Sequence, residues 1–365
     1  YFSEDPMLAG KMAAALIRGI QSQGVYACVK HFAVNSQELR RMTVDSVVDE
    51  RTLREIYLPA FELAVKEGGV KGLMTSYNRV NGTYAGENEH LLRDILYNEW
   101  DYSGLVVSDW GANNDRVAAV RAGLTLEMPA SGGVTDEQIV SAVREGRLEE
   151  RLLDEQVNRL LEFVFSTADA AGSGVDYDRA QHHLFAQRAA EESAVLLKNA
   201  ENILPVCGRE RTVALIGAFA AEPRYQGAGS SRIVPTLMDT AVQVLPLCGM
   251  NIKGYARGFR ADGKADSALV AEAAKLAGAA DVALLYLGLP DSGETEGEDR
   301  TDMLLPENQI ELLKTIAGVN ENVVVVLSCG CAVEMQWHRY AKAVVHGYLG
   351  GQAGASAMLK VLTGW

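Results

Sequence analysis

Leu105-Val106-Val107-Ser108-Asp109-Trp110 is a short apolar run that stops on a carboxylate beside an indole. Such a run predicts a buried strand. The charged residue that ends it then falls at the carboxyl end of a parallel sheet, where open α/β folds and β/α barrels keep their chemistry. The flat face of Trp110 beside an acid suits the C–H face of a sugar ring, and a carboxylate can act on a glycosidic carbon as nucleophile or base. Taken alone, the tripeptide reads more simply as an Asp capping the next helix, with a Trp packed in a loop.

The flanking sequence repeats the pattern. Residues 7–22 predict an amphipathic helix, and the run from Val25 to Val29 predicts a strand closing on Lys30-His31-Phe32. A helix over 50–67 places Leu53, Ile56, Tyr57 and Phe61 on one face, and Val70 to Tyr77 follows as a strand. Helix 89–99 leads into Leu105-Val106-Val107, and helix 113–122 into a fourth strand from Leu124 to Met128. Right-handed crossovers would set the polar ends of these parallel strands on one side. Four strands are too few to close a β/α barrel, which needs about eight.

Residues 135–195 read as wholly helical, with a break near Gly172-Ser173-Gly174. A second α/β pattern starts after Asn202-Ile203-Leu204-Pro205. Its strands run from Val213 to Gly217, Ile252 to Tyr255, Val282 to Leu287, Val323 to Leu327 and Ala343 to Tyr348, with helices at 265–278 and 306–318. The organisation expected is a barrel-like part over 1–134, a helical connector over 135–195 and an α/β sandwich over 196–365.

Composition narrows the class. The 365 residues are 48% hydrophobic and 22% charged, as in ordinary globular proteins. A formal net charge of -14 argues against nucleic acid or an anionic membrane surface as partner, since both require a basic footprint. The five cysteines form no CxxC and predict mostly buried, reduced thiols instead of a disulfide framework or zinc site. The adjacent pair His182-His183 falls in a polar helical stretch and predicts a solvated face, not a metal site.

Three strand ends in one register carry polar or aromatic groups: Lys30-His31-Phe32, Ser76-Tyr77-Asn78 and Ser108-Asp109-Trp110. A Lys and a His at a strand end can donate hydrogen bonds to sugar hydroxyls. In the second half, Gly227-Ala228-Gly229-Ser230-Ser231 lacks a following Gly-Lys-Ser/Thr and does not open a helix directly. It predicts a loop presenting Ser230 to a cleft more readily than a phosphate cradle for ATP or NAD. The run Asp291 to Arg300 follows a strand and is crowded with carboxylates. Its simple reading is a solvated acidic loop, but its position lets it complete a site, with Arg300 fixing one acid and another left as proton donor.

Together these stretches resemble glycoside hydrolase family 3 β-glucosidases over essentially the whole length. The resemblance rests on Tyr1-Phe2-Ser3-Glu4-Asp5-Pro6, Lys30-His31-Phe32, Asp49 to Tyr57, Met74 to Asn78, Ser108-Asp109-Trp110, Val195 to Asn199 and Leu304-Leu305-Pro306. It implies a partial β/α barrel, its C-terminal half, followed by a layered α/β sandwich, with the active site between them. Asp109 resembles the family's nucleophile, and Lys30, His31, Arg41, Tyr77 and Trp110 its glucose-binding residues. Glu296, in Glu296-Gly297-Glu298-Asp299-Arg300, resembles the acid/base. Members that present the acid in Ser-Gly-Glu would select Glu294 instead. Compared with family members, the sequence looks truncated at both ends.

The resemblance implies a retaining, exo-acting β-glucosidase whose two carboxyls stand about 5–5.5 Å apart, acting on a small β-glucoside or oligosaccharide without metal or organic cofactor. β-Xylosidase activity stays open. A β-N-acetylglucosaminidase is disfavoured because Ala33-Val34-Asn35 stands where those relatives continue Pro-Gly-His after Lys-His-Phe. A sugar-binding fragment without turnover is the remaining alternative. Self-association stays open, as does a cytoplasmic, periplasmic or secreted location.

Overall fold

A computed structural model describes residues 2–168, 176–206 and 210–364. The break expected at Gly172-Ser173-Gly174, and also Cys207, lie outside the described residues. Contacts divide the chain into two units, Tyr1–Val175 and Asp176–Trp365.

In the first unit three parallel strands lie side by side in the order β1 (Cys28–Phe32), β3 (Gly72–Thr75) and β6 (Leu105–Val107). A separate small sheet is formed by β2 (Asp45–Ser46), β4 (Arg79–Val80) and β5 (Thr83–Tyr84). The strands alternate with helices, as in a β/α barrel, and among the described residues the set does not close. The core gathers Phe32, Leu53, Leu73, Leu91, Ile95, Leu96, Val106 and Leu124, all essentially inaccessible. Helix Pro6–Gln21 starts as its sequence suggests, with the Asp5 carboxylate accepting from the Met7 and Leu8 amides and Pro6 in the first turn.

Two expectations fail here for backbone reasons. Leu124 to Met128 is not a strand; only Leu126 bridges to Val107. The Thr125 and Leu126 amides both donate to the Val106 carbonyl, so the alternating ladder a strand needs does not form. The helix over 50–67 is broken by a wide turn, Leu53–Tyr57, between Glu50–Thr52 and Pro59–Lys66. Pro59 has no N–H and its ring would crowd the carbonyl four residues back; the wide turn, with an i→i−5 bond from Leu58 to Leu53, accommodates it. The inserted residue rotates the face, leaving Ile56 53% exposed while Leu53 is buried.

The second unit is a six-stranded sheet in the order β7-β12-β11-β10-β8-β9, comprising β7 (Val195–Asn199), β8 (Thr212–Ile216), β9 (Asn251–Ala256), β10 (Val282–Gly288), β11 (Val323–Ser328) and β12 (Ala343–His346). All pairings are parallel except that of β7, which runs antiparallel to β12 at the edge. Val195 to Asn199 therefore continues the sheet, so the first strand of this unit comes ahead of the start expected after Pro205, and Val195 is not helical. Every residue of β10 is buried, which explains its unbroken apolar run: covered on both faces, a central parallel strand has no polar side.

Among the described residues, the stretch expected to be wholly helical holds the helices Val134–Arg144, Glu150–Ala168 and Arg179–Ser193. In the last, His183 is not on a solvated face: its Nε2 lies 3.0 Å from Asp239, with only 14% of the side chain exposed. Of the described cysteines only Cys329 is buried; Cys28 and Cys331 are exposed and Cys248 is intermediate. No helix among the described residues is long and apolar enough to cross a membrane.

Leu285, fully buried at the centre of β10, sets a test of this core. Leu285→Ala should lower the stability of the second unit by about 2–5 kcal/mol, because a cavity adds to the lost transfer energy. Leu247→Ala, at a position 83% exposed, should change it by less than about 0.5 kcal/mol. Urea unfolding followed by circular dichroism measures both.

Candidate active site

Side chains close the carboxyl ends of β1, β3 and β6, tying the end of β3 to that of β1 and the end of β6 to Met128. The Ser76 amide donates to the Phe32 carbonyl at 2.8 Å, and the Ser76 hydroxyl and Asn78 amide both donate to the Ala33 carbonyl, at 2.9 and 3.2 Å. Ser108 does the same for its strand: its hydroxyl accepts from the Met128 amide at 2.8 Å, and the Gly111 amide donates to the Met128 carbonyl at 2.7 Å. Polar residues appear at these strand ends because the ladder stops there and the last backbone groups need partners.

On that platform sit most of the residues singled out in the sequence. His31 Nε2 lies 3.3 Å from Asp109 Oδ2, with 19% and 14% of the two side chains exposed. The other carboxylate oxygen, Oδ1, accepts from the Trp110 amide at 2.6 Å, so both ends of the Asp109 carboxylate are held. This is not a helix cap: the following helix, Arg116–Ala122, takes its cap from Asp115. The buried Tyr77 donates its hydroxyl to the Trp110 carbonyl at 3.1 Å, and the Arg41 guanidinium stands 4.7 Å from the centre of the Tyr77 ring. Arg41 is steadied by Glu38 at 2.9 Å, a residue with no motif to mark it. The Trp110 indole is 63% exposed, an unusual state for the largest apolar side chain. Lys30 is exposed, and no ion pair joins it to Asp109.

In the second unit, the acidic run after β10 divides by role. Glu294 turns inward, with 5% of its side chain exposed. Its Oε1 accepts from the amides of Gly330 at 2.5 Å and Cys331 at 2.9 Å, and its Oε2 faces Arg224 at 3.3 Å. Glu296 is exposed, and its Oε2 accepts from both the amide (2.8 Å) and the hydroxyl of Ser230. Glu298, Asp299 and Asp302 line a separate cleft of about 780 Å3 with Trp337 and Tyr340. The Arg300 guanidinium donates to the Ala332 carbonyl at 3.1 Å.

The glycine-rich segment opposite is a strut for this loop. Ala228 and Thr295 form a parallel bridge, the Ala228 amide donating to the Glu294 carbonyl at 2.9 Å and the Glu296 amide to the Ala228 carbonyl at 3.3 Å. Gly229 adopts φ +111°, and a Cβ there would stand 2.5 Å from the Glu296 Cβ. Only glycine lets the two segments approach so closely.

Other chemistry in the second unit is quiet. Burial pushes the Cys329 thiol up to about 12, with the Glu294 carboxylate adding to the effect, and burial lowers the pKa of His346, whose Nε2 is 3.3 Å from that thiol. Burial thus disfavours the thiolate, the reactive form of a cysteine, at Cys329. Among the described residues no group of three or more His, Cys, Asp or Glu is placed to hold a metal ion.

Known proteins share this fold. The model of the glycosyl hydrolase family 3 N-terminal domain matches residues 1–163, and that of the C-terminal domain matches residues 194–365. The chain belongs to glycosyl hydrolase family 3, and its fold is a partial β/α barrel followed by an α/β sandwich. It is 50% identical to thermostable beta-glucosidase B of Acetivibrio thermocellus, the match covering 100% of the chain and 48% of that protein. It is 44% identical to an exo-alpha-(1->6)-L-arabinopyranosidase of Bifidobacterium breve, covering 100% of the chain and 49% of the relative. Among solved structures, a family 3 beta-glucosidase of Bifidobacterium adolescentis superposes with a TM-score of 0.95 at 46% identity, over 100% of the chain and 54% of its own. Beta-glucosidase 3B of Thermotoga neapolitana, solved with alpha-D-glucose, gives 0.90 at 32% identity, over 100% and 56%. The chain spans about half the length of the curated relatives it matches.

Gly229→Ala should be strained twice, by its left-handed backbone and by contact with Glu296. Differential scanning calorimetry should show a loss of about 1–3 kcal/mol. An unchanged or raised melting temperature would contradict the close packing described.

Proposed function

We propose that the protein is a retaining, exo-acting β-glucosidase in which Asp109 is the nucleophile and Glu296 the acid/base. The observation that carries the reading is the setting of Asp109: a carboxylate at a barrel strand end, gripped at both oxygens, beside an exposed indole and a Tyr–Arg stack. A carboxylate whose oxygens are fixed by His31 and the Trp110 amide is oriented before substrate arrives, which lowers the entropy lost on reaching the transition state. His31, Arg41, Tyr77 and Trp110 supply donors and an aromatic face suited to a pyranose, and Lys30 a further ammonium for its hydroxyls.

In the first step an Asp109 oxygen bonds to the anomeric carbon while the glycosidic C–O bond breaks and the leaving oxygen takes the proton of Glu296. In the second, water bonds to the same carbon, Glu296 takes its proton, and the ester to Asp109 breaks to regenerate the carboxylate. Every atom and charge is returned, so the cycle calls for no cofactor.

Between the two acids considered, the surroundings favour Glu296. A proton donor must be reachable by the leaving oxygen and must pass through both protonation states. Glu294 is committed to a buried guanidinium and two amides, and protonating it would leave Arg224 without its counter-charge. Glu296 is exposed, and a substrate hydroxyl or leaving oxygen could take the place of the Ser230 amide and hydroxyl at its carboxylate. The substrate is proposed as a β-D-glucoside from the two beta-glucosidase neighbours; the 44% identical arabinopyranosidase makes an α-L-arabinopyranoside the second reading.

In the active protein, Asp109→Gly should lower kcat/KM on aryl β-D-glucosides by on the order of 10⁴-fold or more, as loss of a covalent nucleophile does. Turnover unchanged by that substitution would remove the assignment. Proton NMR of the first-formed sugar should show the β-anomer, and initial release of the α-anomer would exclude the double displacement. Rates on matched glucoside, xyloside, N-acetylglucosaminide and α-L-arabinopyranoside rank the substrates, with the glucoside expected first.

A further inference from the structure

We infer that Arg224 and Glu294 are a positioning pair, acting through the loop backbone to set where the Glu296 carboxylate stands. The inference rests on Glu296 being the acid/base.

Arg224 lies in the segment after β8, in Glu222-Pro223-Arg224-Tyr225, where no motif marks it. Only 7% of its side chain is exposed. From there the guanidinium gathers three points of the segment that leaves β10. Its Nε donates to the Leu289 carbonyl at 2.7 Å, one Nη contacts Asp291, and the other faces Glu294 at 3.3 Å. A planar fork that meets a carbonyl and two carboxylates fixes direction as well as distance, which an ammonium cannot do.

Glu294 carries the restraint onward. Its far oxygen accepts from the Gly330 and Cys331 amides, so the same carboxylate pins the loop after β10 to the loop after β11. Its own backbone carbonyl takes the Ala228 amide, and two residues later the Glu296 amide returns a bond to the Ala228 carbonyl. Glu296 is thus held at its Cα by main-chain pairing and at its carboxylate by Ser230, while Glu294 fixes the origin of that pairing. The run of acids has one member built into the scaffold and the next presented on it. A burial this complete for a carboxylate and a guanidinium needs every partner present, so removing either leaves a charged group uncompensated and the loop free to shift. A displacement near 1 Å of a proton donor can cost about 100-fold in rate.

The experiment compares Glu294→Gln with Glu296→Gln in the active protein, using aryl β-glucosides whose leaving groups range from 2,4-dinitrophenol to phenol. A dinitrophenolate departs without a proton, so kcat/KM for it does not register the acid, whereas phenol needs one. Loss of the acid itself in Glu296→Gln should therefore fall on the phenyl glucoside by about 10²–10⁴-fold and spare kcat/KM for the dinitrophenyl glucoside. Glu294→Gln should reproduce that selectivity in milder form, about 10–100-fold on the phenyl glucoside. Its kcat for the dinitrophenyl glucoside should also drop, because hydrolysis of the glycosyl-enzyme uses the same residue as base. Arg224→Lys, which keeps the charge and loses the fork, gives the same readout should Glu294→Gln fail to fold. If Glu296→Gln is selective and Glu294→Gln or Arg224→Lys loses rate equally on all leaving groups, or loses none, the positioning role is wrong. If Glu296→Gln itself shows no dependence on the leaving group, the acid/base reading falls, and the positioning role with it.

Discussion

Parallel pairing of strands is the constraint from which the rest follows. Because β1, β3 and β6 run the same way, their last residues share one edge, and the backbone groups left over there must find partners. Ser76, Asn78 and Ser108 supply them, and in doing so hold the intervening residues, His31, Tyr77, Asp109 and Trp110, in one cluster. The same logic operates in the second unit. Gly288, the last residue of β10, exchanges both its backbone bonds with the Gln309 side chain at 2.9 and 2.8 Å, and the next carbonyl is taken by Arg224. Asp109 stands two residues beyond the end of β6, and Glu296 eight residues beyond the end of β10.

The two carboxylates proposed for catalysis are held by different means. Asp109 is gripped directly, by His31 and by its neighbour's amide. Glu296 is held through its loop, by the bridge to Ala228, the close approach at Gly229 and the Ser230 contact. The difference suits their proposed roles. A nucleophile stays ionised until it bonds to carbon and profits from rigid aim, whereas an acid/base must gain and lose a proton within each turnover and profits from remaining open to substrate and water.

Much of this was legible in the sequence because local pattern and tertiary role agree. Leu105-Val106-Val107 is a strand with the bounds expected, and the fully buried β10 was visible as an unbroken apolar run. The failures come where neighbours decide. Val195 to Asn199 pairs at an edge, with Leu196 54% exposed, so it carries neither the alternation nor the burial that distinguishes a strand from a helix. Ile56 was misplaced because Pro59 widens the preceding turn, a one-residue change that periodicity does not register. The resemblance favoured Glu296 over Glu294, but the different settings of the two depend on Arg224, seventy residues from Glu294 in sequence, which no local pattern reveals. Glu38, only three residues before Arg41, lies in no motif, and nothing in the local pattern ties the two together.

The central claim is that Asp109 forms a covalent bond to the sugar. Incubating the active protein with 2,4-dinitrophenyl 2-deoxy-2-fluoro-β-D-glucoside slows both steps, but its activated leaving group favours the first, so the glycosyl-enzyme should accumulate. Peptide mass spectrometry should then find one fluoroglucosyl group on the peptide containing Ser108-Asp109-Trp110, fragmenting at Asp109. Time-dependent inactivation with the label on any other residue would contradict the account.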